Sequence, residues 1–220
     1  MSSFPNSPKL LKGGLVVLDA ETSRVLRVIS LQYNPDSLSR SLQVQGAGAE
    51  GNGERAQPFR LKGPAIETFK LEAEIDATDQ LELPDQNPNA VAFGIAPQLA
   101  VLESLINPTT RELLALAALS AAGTLEILPP EAPLTLFVWS RSRVVPVRVT
   151  EFSITEEAFD VALNPIRAKV SLGLRALTTD DLGYTSKGGT LFMSYLRTRE
   201  GLATRAGGAA LAALGITNLP

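Results

Sequence analysis

The sequence predicts a mainly β fold with helices: an antiparallel domain of about six to eight strands carrying one core helix, then a helical C-terminal extension. Three observations predict it. The stretch Val144–Leu177 reads as one long β-hairpin, and its second half alternates strictly. There Ala168, Val170, Leu172, Leu174 and Ala176 fall on one face and Arg167, Lys169, Ser171, Gly173 and Arg175 on the other, the period-two signature of a strand with one buried side. Glu67–Asp76 repeats the pattern, with Phe69, Leu71, Ala73 and Ile75 against Lys70, Glu72, Glu74 and Asp76. After Leu177 the period changes, and Leu191–Arg205 sets Phe192, Tyr195, Leu196 and Arg199 at helical spacing.

From the N-terminus, Leu10–Leu18 and Arg24–Tyr33 are β-rich runs around the polar turn 19–23, an opening hairpin. Asn34-Pro35 breaks the second run, and Ser37–Val44 forms a short further strand. Gln45–Gln57 is glycine-rich and polar. It reads as a flexible loop, either a disordered excursion or a segment that orders only against a neighbour. Leu81–Asn89 is expected to be a proline-rich loop. Pro97–Ile106 is a helix with Leu99, Leu102 and Ile106 on one face, stopped by Asn107-Pro108. Thr109-x-x-Glu112 has capping-box spacing and opens an alanine-leucine helix up to Gly123.

Pro129, Pro130 and Pro133 mark a loop, and Leu134–Trp139 is a short apolar strand leading into the hairpin. Inside the hairpin the apolar phase switches near Glu151, from Val145, Val147 and Val149 to Phe152 and Ile154, as a β-bulge would produce. Glu156–Pro165, polar and acidic around Phe159, is expected to be a wide connection. Thr178–Gly189 reads as a polar linker and Gly207–Pro220 as an apolar tail of small residues. The β domain is thus expected over 1–182 and the extension over 183–220.

Composition narrows the chemistry. Of 220 residues 45% are hydrophobic, enough for a sizeable core, and the net charge of −3 gives no bulk attraction to nucleic acid or anionic lipid. The chain has no cysteine and no histidine. Disulfides, thiol chemistry, Ser-His-Asp triads and histidine-ligated zinc are therefore excluded within it. The N-terminal stretch lacks an apolar secretory core, and the longest apolar runs are too short to span a bilayer, so a soluble, cytoplasmically made protein is expected.

The tight carboxylate groups, Asp76 with Asp79 and Glu156 with Glu157 and Asp160, read as solvated turns or capping acids before they read as a glycosidase pair or a cation loop. The glycines at 46, 48, 51 and 53 lack the ending of a phosphate loop. Phe137 and Trp139 read as core side chains rather than a stacking platform. No catalytic residue, metal or cofactor is expected.

An ordered series of motifs carries a resemblance. Leu31-Gln-Tyr-Asn-Pro-Asp-Ser-Leu-Ser-Arg-Ser41 comes first, then Phe69-Lys-Leu-Glu-Ala-Glu-Ile-Asp-Ala-Thr-Asp79 and Gln98-Leu-Ala-Val-Leu-Glu103 with Asn107-Pro108. Leu136-Phe-Val-Trp139 and Pro146-Val-Arg-Val-Thr150 follow, then Ile154-Thr-Glu-Glu-Ala-Phe-Asp160, Leu163-Asn-Pro-Ile-Arg-Ala168 and Leu177-Thr-Thr-Asp-Asp181. Over about Leu10–Leu182 the chain resembles the contractile injection system tube-protein family, whose members act in phage-tail-like particles at the baseplate.

The resemblance implies a tube-like β-barrel or sandwich that assembles with itself into a sixfold ring. It implies a non-enzymatic adaptor between inner tube and spike hub, in a particle assembled in the cytoplasm and released or acting outside the cell. An inner-tube subunit is the close alternative. A β-sandwich carbohydrate-binding module using Asp76, Asp79 and Trp139 is the alternative of another class. Many adaptors of this family end in a LysM module. Leu191–Pro220 is too short for one, so the helical tail is expected to take over partner docking. The candidate interface residues are Arg167, Lys169 and Arg175, expected to meet acidic partner surfaces, with Glu156, Glu157, Phe159, Asp160 and Tyr195. Spike hub, tube and other baseplate proteins are the expected partners, with no nucleic acid, membrane insertion or small-molecule substrate.

Overall fold

In the computed structural model, which describes residues 11–19, 22–46, 61–122, 132–208 and 211–216, the period-two runs become seven strands. These are β1 (Gly14–Leu18), β2 (Val25–Ser30), β3 (Leu38–Gln43), β4 (Ile66–Asp76), β5 (Leu134–Ser140), β6 (Arg143–Phe159) and β7 (Pro165–Ala176). They form one antiparallel sheet in the order β2-β1-β5-β6-β7-β4-β3. The barrel or sandwich implied by the resemblance is here a single open sheet, with β2 and β3 as its edges among the described residues. Neither edge strand brings a buried face to closure, for β2 and β3 are exposed or half-buried along their whole length.

The hairpin is the spine. All five apolar residues of the β7 row, Ala168 to Ala176, are buried. Val170, Leu172 and Leu174 each contribute about 1.5–3 kcal/mol by leaving water. The phase switch in β6 is a bulge: Val149 faces Leu174 and Glu151 faces Gly173, leaving Thr150 as the extra residue. It lets Val145, Val147 and Val149 on one side of the bulge, and Phe152 and Ile154 on the other, pack against the same core.

Strand β6 runs on to Phe159, so the wide connection expected from Glu156 shortens to Asp160–Asn164. The Asp160 carboxylate gathers that turn, accepting from the N–H groups of Ala162 (2.7 Å) and Asn164 (2.8 Å) and from Asn164 Nδ2 (2.8 Å). Leu163 takes a left-handed φ of 65° there, uncommon for a bulky residue.

The helices are α1 (Thr78–Leu81), α2 (Pro88–Phe93), α3 (Ala96–Glu103), α4 (Thr110–Ala121), α5 (Thr179–Leu182) and α6 (Lys187–Arg205), with a 3₁₀ turn at Pro84–Gln86. The expected proline-rich loop is therefore largely helical. Pro84 and Pro88 each open a helical turn, where the missing N–H has no partner to lose. Helix α3 presents Leu99 and Leu102 to the core and ends before Ile106, which is exposed.

The capping box of α4 forms as its spacing predicts, yet no residue of that helix is buried. The expected linker 178–189 holds α5, with its own capping box, and the start of α6, where the Ser186 hydroxyl accepts from Gly189 N–H. Helix α6 is not set apart from the sheet: Phe192 and Tyr195 belong to the same core cluster as β4, β5, β6 and β7. Phe69 and Phe137 meet at 5.2 Å between ring centres, and Trp139 is partly buried 5.8 Å from Phe137.

One backbone contact ties the helical insertion to the hairpin. Ile95 N–H donates to Pro165 O at 2.8 Å, and Gly94 lies at φ 56° with the position of a Cβ only 2.0 Å from that same oxygen. Only glycine satisfies both the angle and the approach. Gly94→Ala is expected to destabilise the fold by more than about 1 kcal/mol, read as a lower urea midpoint at unchanged slope.

Candidate interaction surface

The polar side of the sheet carries the charged residues that the sequence offers as an interface. Each of the three cations there already has an acid in its own chain. Arg167 Nε reaches Asp76 Oδ2 at 2.6 Å and Glu74 at 3.9 Å, Lys169 reaches Glu157 at 2.9 Å, and Arg175 reaches Asp181 at 3.0 Å. Arg167 is raised above the ordinary guanidinium range by the Asp76 hydrogen bond and charge, and Lys169 is raised by Glu157. Burial pushes the Asp76 carboxyl up, but hydrogen bonds from the Thr78 hydroxyl and N–H, with Arg167, outweigh it and hold the carboxyl low. Asp160 is held low by its Asn164 hydrogen bonds.

A fourth pair spans three strands. Lys70 on β4 and Glu151 on β6 flank Gly173 of β7 in register, and Lys70 Nζ reaches Glu151 Oε2 at 2.8 Å across it. A Cβ at Gly173 would lie 2.8 Å from the Glu151 Cβ, so the missing side chain leaves room for the Lys70 and Glu151 side chains to meet over β7.

Of the remaining candidates, Glu156 and Phe159 face solvent near the hairpin tip, whereas Tyr195 is buried. Asp76 is committed to Arg167 and Thr78, and Asp79 does not join it in a carboxylate pair. Among the described residues no cluster of acids could hold a metal ion, and no helix is long and apolar enough to cross a membrane. The glycine-rich segment 47–57 lies outside the described residues.

Exposed apolar side chains stand at the sheet rims as well as on the helices. Val25, Leu26 and Val28 are exposed on the β2 edge, Leu42 on the β3 edge and Val44 just beyond it, and Phe159, Val161 and Leu163 at the hairpin tip. Beyond Val147, β6 has no strand on the side opposite β7 among the described residues.

The strongest polar constellation was not singled out as a site from sequence. Glu67 shares the apolar phase of β4 and is 2% exposed. Its carboxylate accepts from Tyr195 OH (3.0 and 3.1 Å), Arg199 Nη1 (3.2 Å) and Arg40 Nε. The Arg199 guanidinium also stands 5.4 Å above the Tyr195 ring. The signal was present: a glutamate in phase with Phe69 and Leu71, and Tyr195 and Arg199 one turn apart on an amphipathic helix. With its oxygens met by donors from β3 and α6, Glu67 anchors the C-terminal helix to the sheet.

No protein-family model and no curated protein matches the chain. Among solved structures it is similar to a chain from the tail of an empty GTA particle, obtained by helical refinement with C6 symmetry. The two share 12% identity over 74% of this chain and 90% of that one, at a TM-score of 0.29. A likeness of that degree assigns no function.

Burial, the nearby Glu67 charge and their hydrogen bond push the Tyr195 phenol above its usual range. A raised pKa in the folded state means that the stabilisation is complete below the ordinary tyrosine pKa of about 10 and is lost as pH rises toward the folded value. Tyr195→Phe is therefore expected to lose about 1.5–3 kcal/mol at neutral pH, with the gap to the parent narrowing above about pH 10. Urea denaturation of both proteins across that range measures it.

Proposed function

We propose that the chain is a non-enzymatic structural subunit of a phage-tail-like contractile injection particle. Within the particle it acts as a baseplate adaptor whose ring joins the inner tube to the spike hub. The ordered motifs from Leu31 to Asp181 support the family reading. The geometric observation that supports assembly best is the open sheet, whose two edges are different strands. An edge strand that exposes Val25, Leu26 and Val28 is an aggregation hazard in isolation and a docking element in an assembly. Two unlike edges on one sheet make a head-to-tail contact, and such contacts close into rings when the rotation allows.

On this reading the paired cations of the polar face brace the hairpin, and the contacts between subunits come from strand edges and apolar rims. The carbohydrate-binding alternative loses its geometry, because Asp76 is bound to Arg167 and Trp139 packs against the core.

Light scattering and particle imaging test the proposal, on the purified chain alone and with the spike hub. A sixfold ring, alone or on the hub, is the expected result. Val28 is 65% exposed, so Val28→Lys is expected to leave the melting temperature unchanged while abolishing the ring. A chain that stays monomeric with every tail component overturns the proposal. Many stacked rings per particle replace the adaptor with an inner-tube subunit.

A further inference from the structure

Helix α4 has the composition of a buried helix and the exposure of a surface one. Leucine and alanine fill eight of its 12 positions and fall all round its axis, so no polar face is left. Yet none of its residues is buried, and Leu114 is 72% exposed, with Leu113 and Leu119 exposed beside it. A helix of about 12 residues is marginal in water even with good propensity, and one apolar on every side is ordinarily enclosed. A membrane does not supply the cover. The helix rises only about 18 Å against a bilayer core of about 30 Å. Its only charges, Arg111 and Glu112, sit in the first turn, so it has no cationic face for a headgroup layer.

The same chain carries a trough of matching character. Two hollows of about 660 and 460 Å³ share Leu105, Ile106, Ala132 and Pro133 as walls and so run into one another. The trough passes from Leu26 on the β2 edge, past Ile106 just beyond α3, to Leu182 of α5 and the first turn of α6. Leu26 and Ile106 are exposed, and Leu134, Val149, Leu177 and Leu182 are half-buried, so their apolar surface is open to an occupant.

The charge of the trough is graded along its length. Arg148 and Lys187 wall the α6 end, where no acid lines it and neither cation has an ion-pair partner among the described residues. At the β2 end Asp19 and Glu112 stand against Arg27. An α-helix carries partial positive charge at its N-terminus and partial negative charge at its C-terminus. Helix α4 has no basic residue in its last turn to offset the latter. The gradient therefore suits an apolar helix laid with its C-terminal end toward Arg148 and Lys187. The chain's own α4 is not in that place. Thr109 and Glu112, its cap and first turn, form the rim at the β2 end, and its leucines stand in solvent.

We infer that the trough receives α4 of a second copy of this chain, leucines inward, with the C-terminal end of the helix against Arg148 and Lys187. Helix and trough are different patches of one surface, so the contact runs head to tail. It is a contact that the strand edges do not make, and it does not rest on the particle reading, because two copies suffice.

Crosslinking of the full chain tests it, and the absence of native cysteine keeps the readout clean. One variant carries Leu113→Cys on the helix, another carries Ile106→Cys in the trough, and tags of different mass mark the two. With a short bis-maleimide, the mixed dimer is expected to dominate over dimers of either variant with itself. Leu114→Lys, added to the helix variant, is expected to cut the mixed product roughly tenfold or more. It is expected to leave the melting temperature of the dilute chain unchanged, because the side chain is exposed there. Like dimers as abundant as mixed ones, a mixed yield indifferent to Leu114→Lys, or a variant with both cysteines that closes only within one chain would each overturn the inference. A sixfold ring without the mixed crosslink would also overturn it and leave the proposed function standing. The mixed crosslink in a chain that forms no ring would support it and count against the ring alone.

Discussion

Strand β7 is bonded on both sides over almost its whole length, to β6 from Pro165 to Ala176 and to β4 from Arg167 to Arg175. Its apolar row is the floor on which the helices rest. Ile95, Leu99 and Leu102 from the insertion, and Phe192 and Tyr195 from α6, join the same core cluster as Ala168, Val170, Leu172, Leu174 and Ala176. A one-residue slip of this strand would turn the whole row to solvent. The bulge at Thr150 is thus required by the neighbour: without it the apolar residues of β6 on one side of Glu151 would point away from that floor.

Glu67 shows how the C-terminal helix is held. A carboxylate taken out of water loses several kcal/mol of solvation, recovered only where charged and hydrogen-bonded partners surround it. Two arginines and a phenol do so here, from β3 on one side and α6 on the other. Such a cluster adds little net stability over an apolar packing of the same shape. What it adds is orientation, because α6 can satisfy Glu67 only with Tyr195 and Arg199 turned inward.

The strands were legible because alternation is a local property. The row 168–176 and the run 67–76 state their own buried face, and the phase break at Glu151 even located the bulge. The short helices between Thr78 and Phe93 were not legible in the same way. Proline is read as a loop former, and whether it starts a helical turn or breaks one depends on the residues that follow packing down. The capping box at Thr109 predicted α4 correctly, since cap and propensity are both local. The candidate surface was less legible. That Arg167, Lys169 and Arg175 would meet Asp76, Glu157 and Asp181 depends on cross-strand register and on where α5 returns. That Tyr195 would turn inward depends on a glutamate far away in the sequence.

Beyond Val147 the hairpin loses β5 as a neighbour and continues to Phe159 braced on one flank by β7 and, through it, by β4 as far as Asp76. In mechanical terms it is a cantilever with a fixed root and a propped span. The Lys70–Glu151 tie across Gly173 is a strut near the root, and the Arg167–Asp76 pair pins the far end of the prop. The turn at the tip is itself locked by Asp160, so little slack is left between tip and sheet. A push or pull on Val161 or Leu163 is therefore carried along the ladder as shear, and it arrives first at the row of side chains that forms the core.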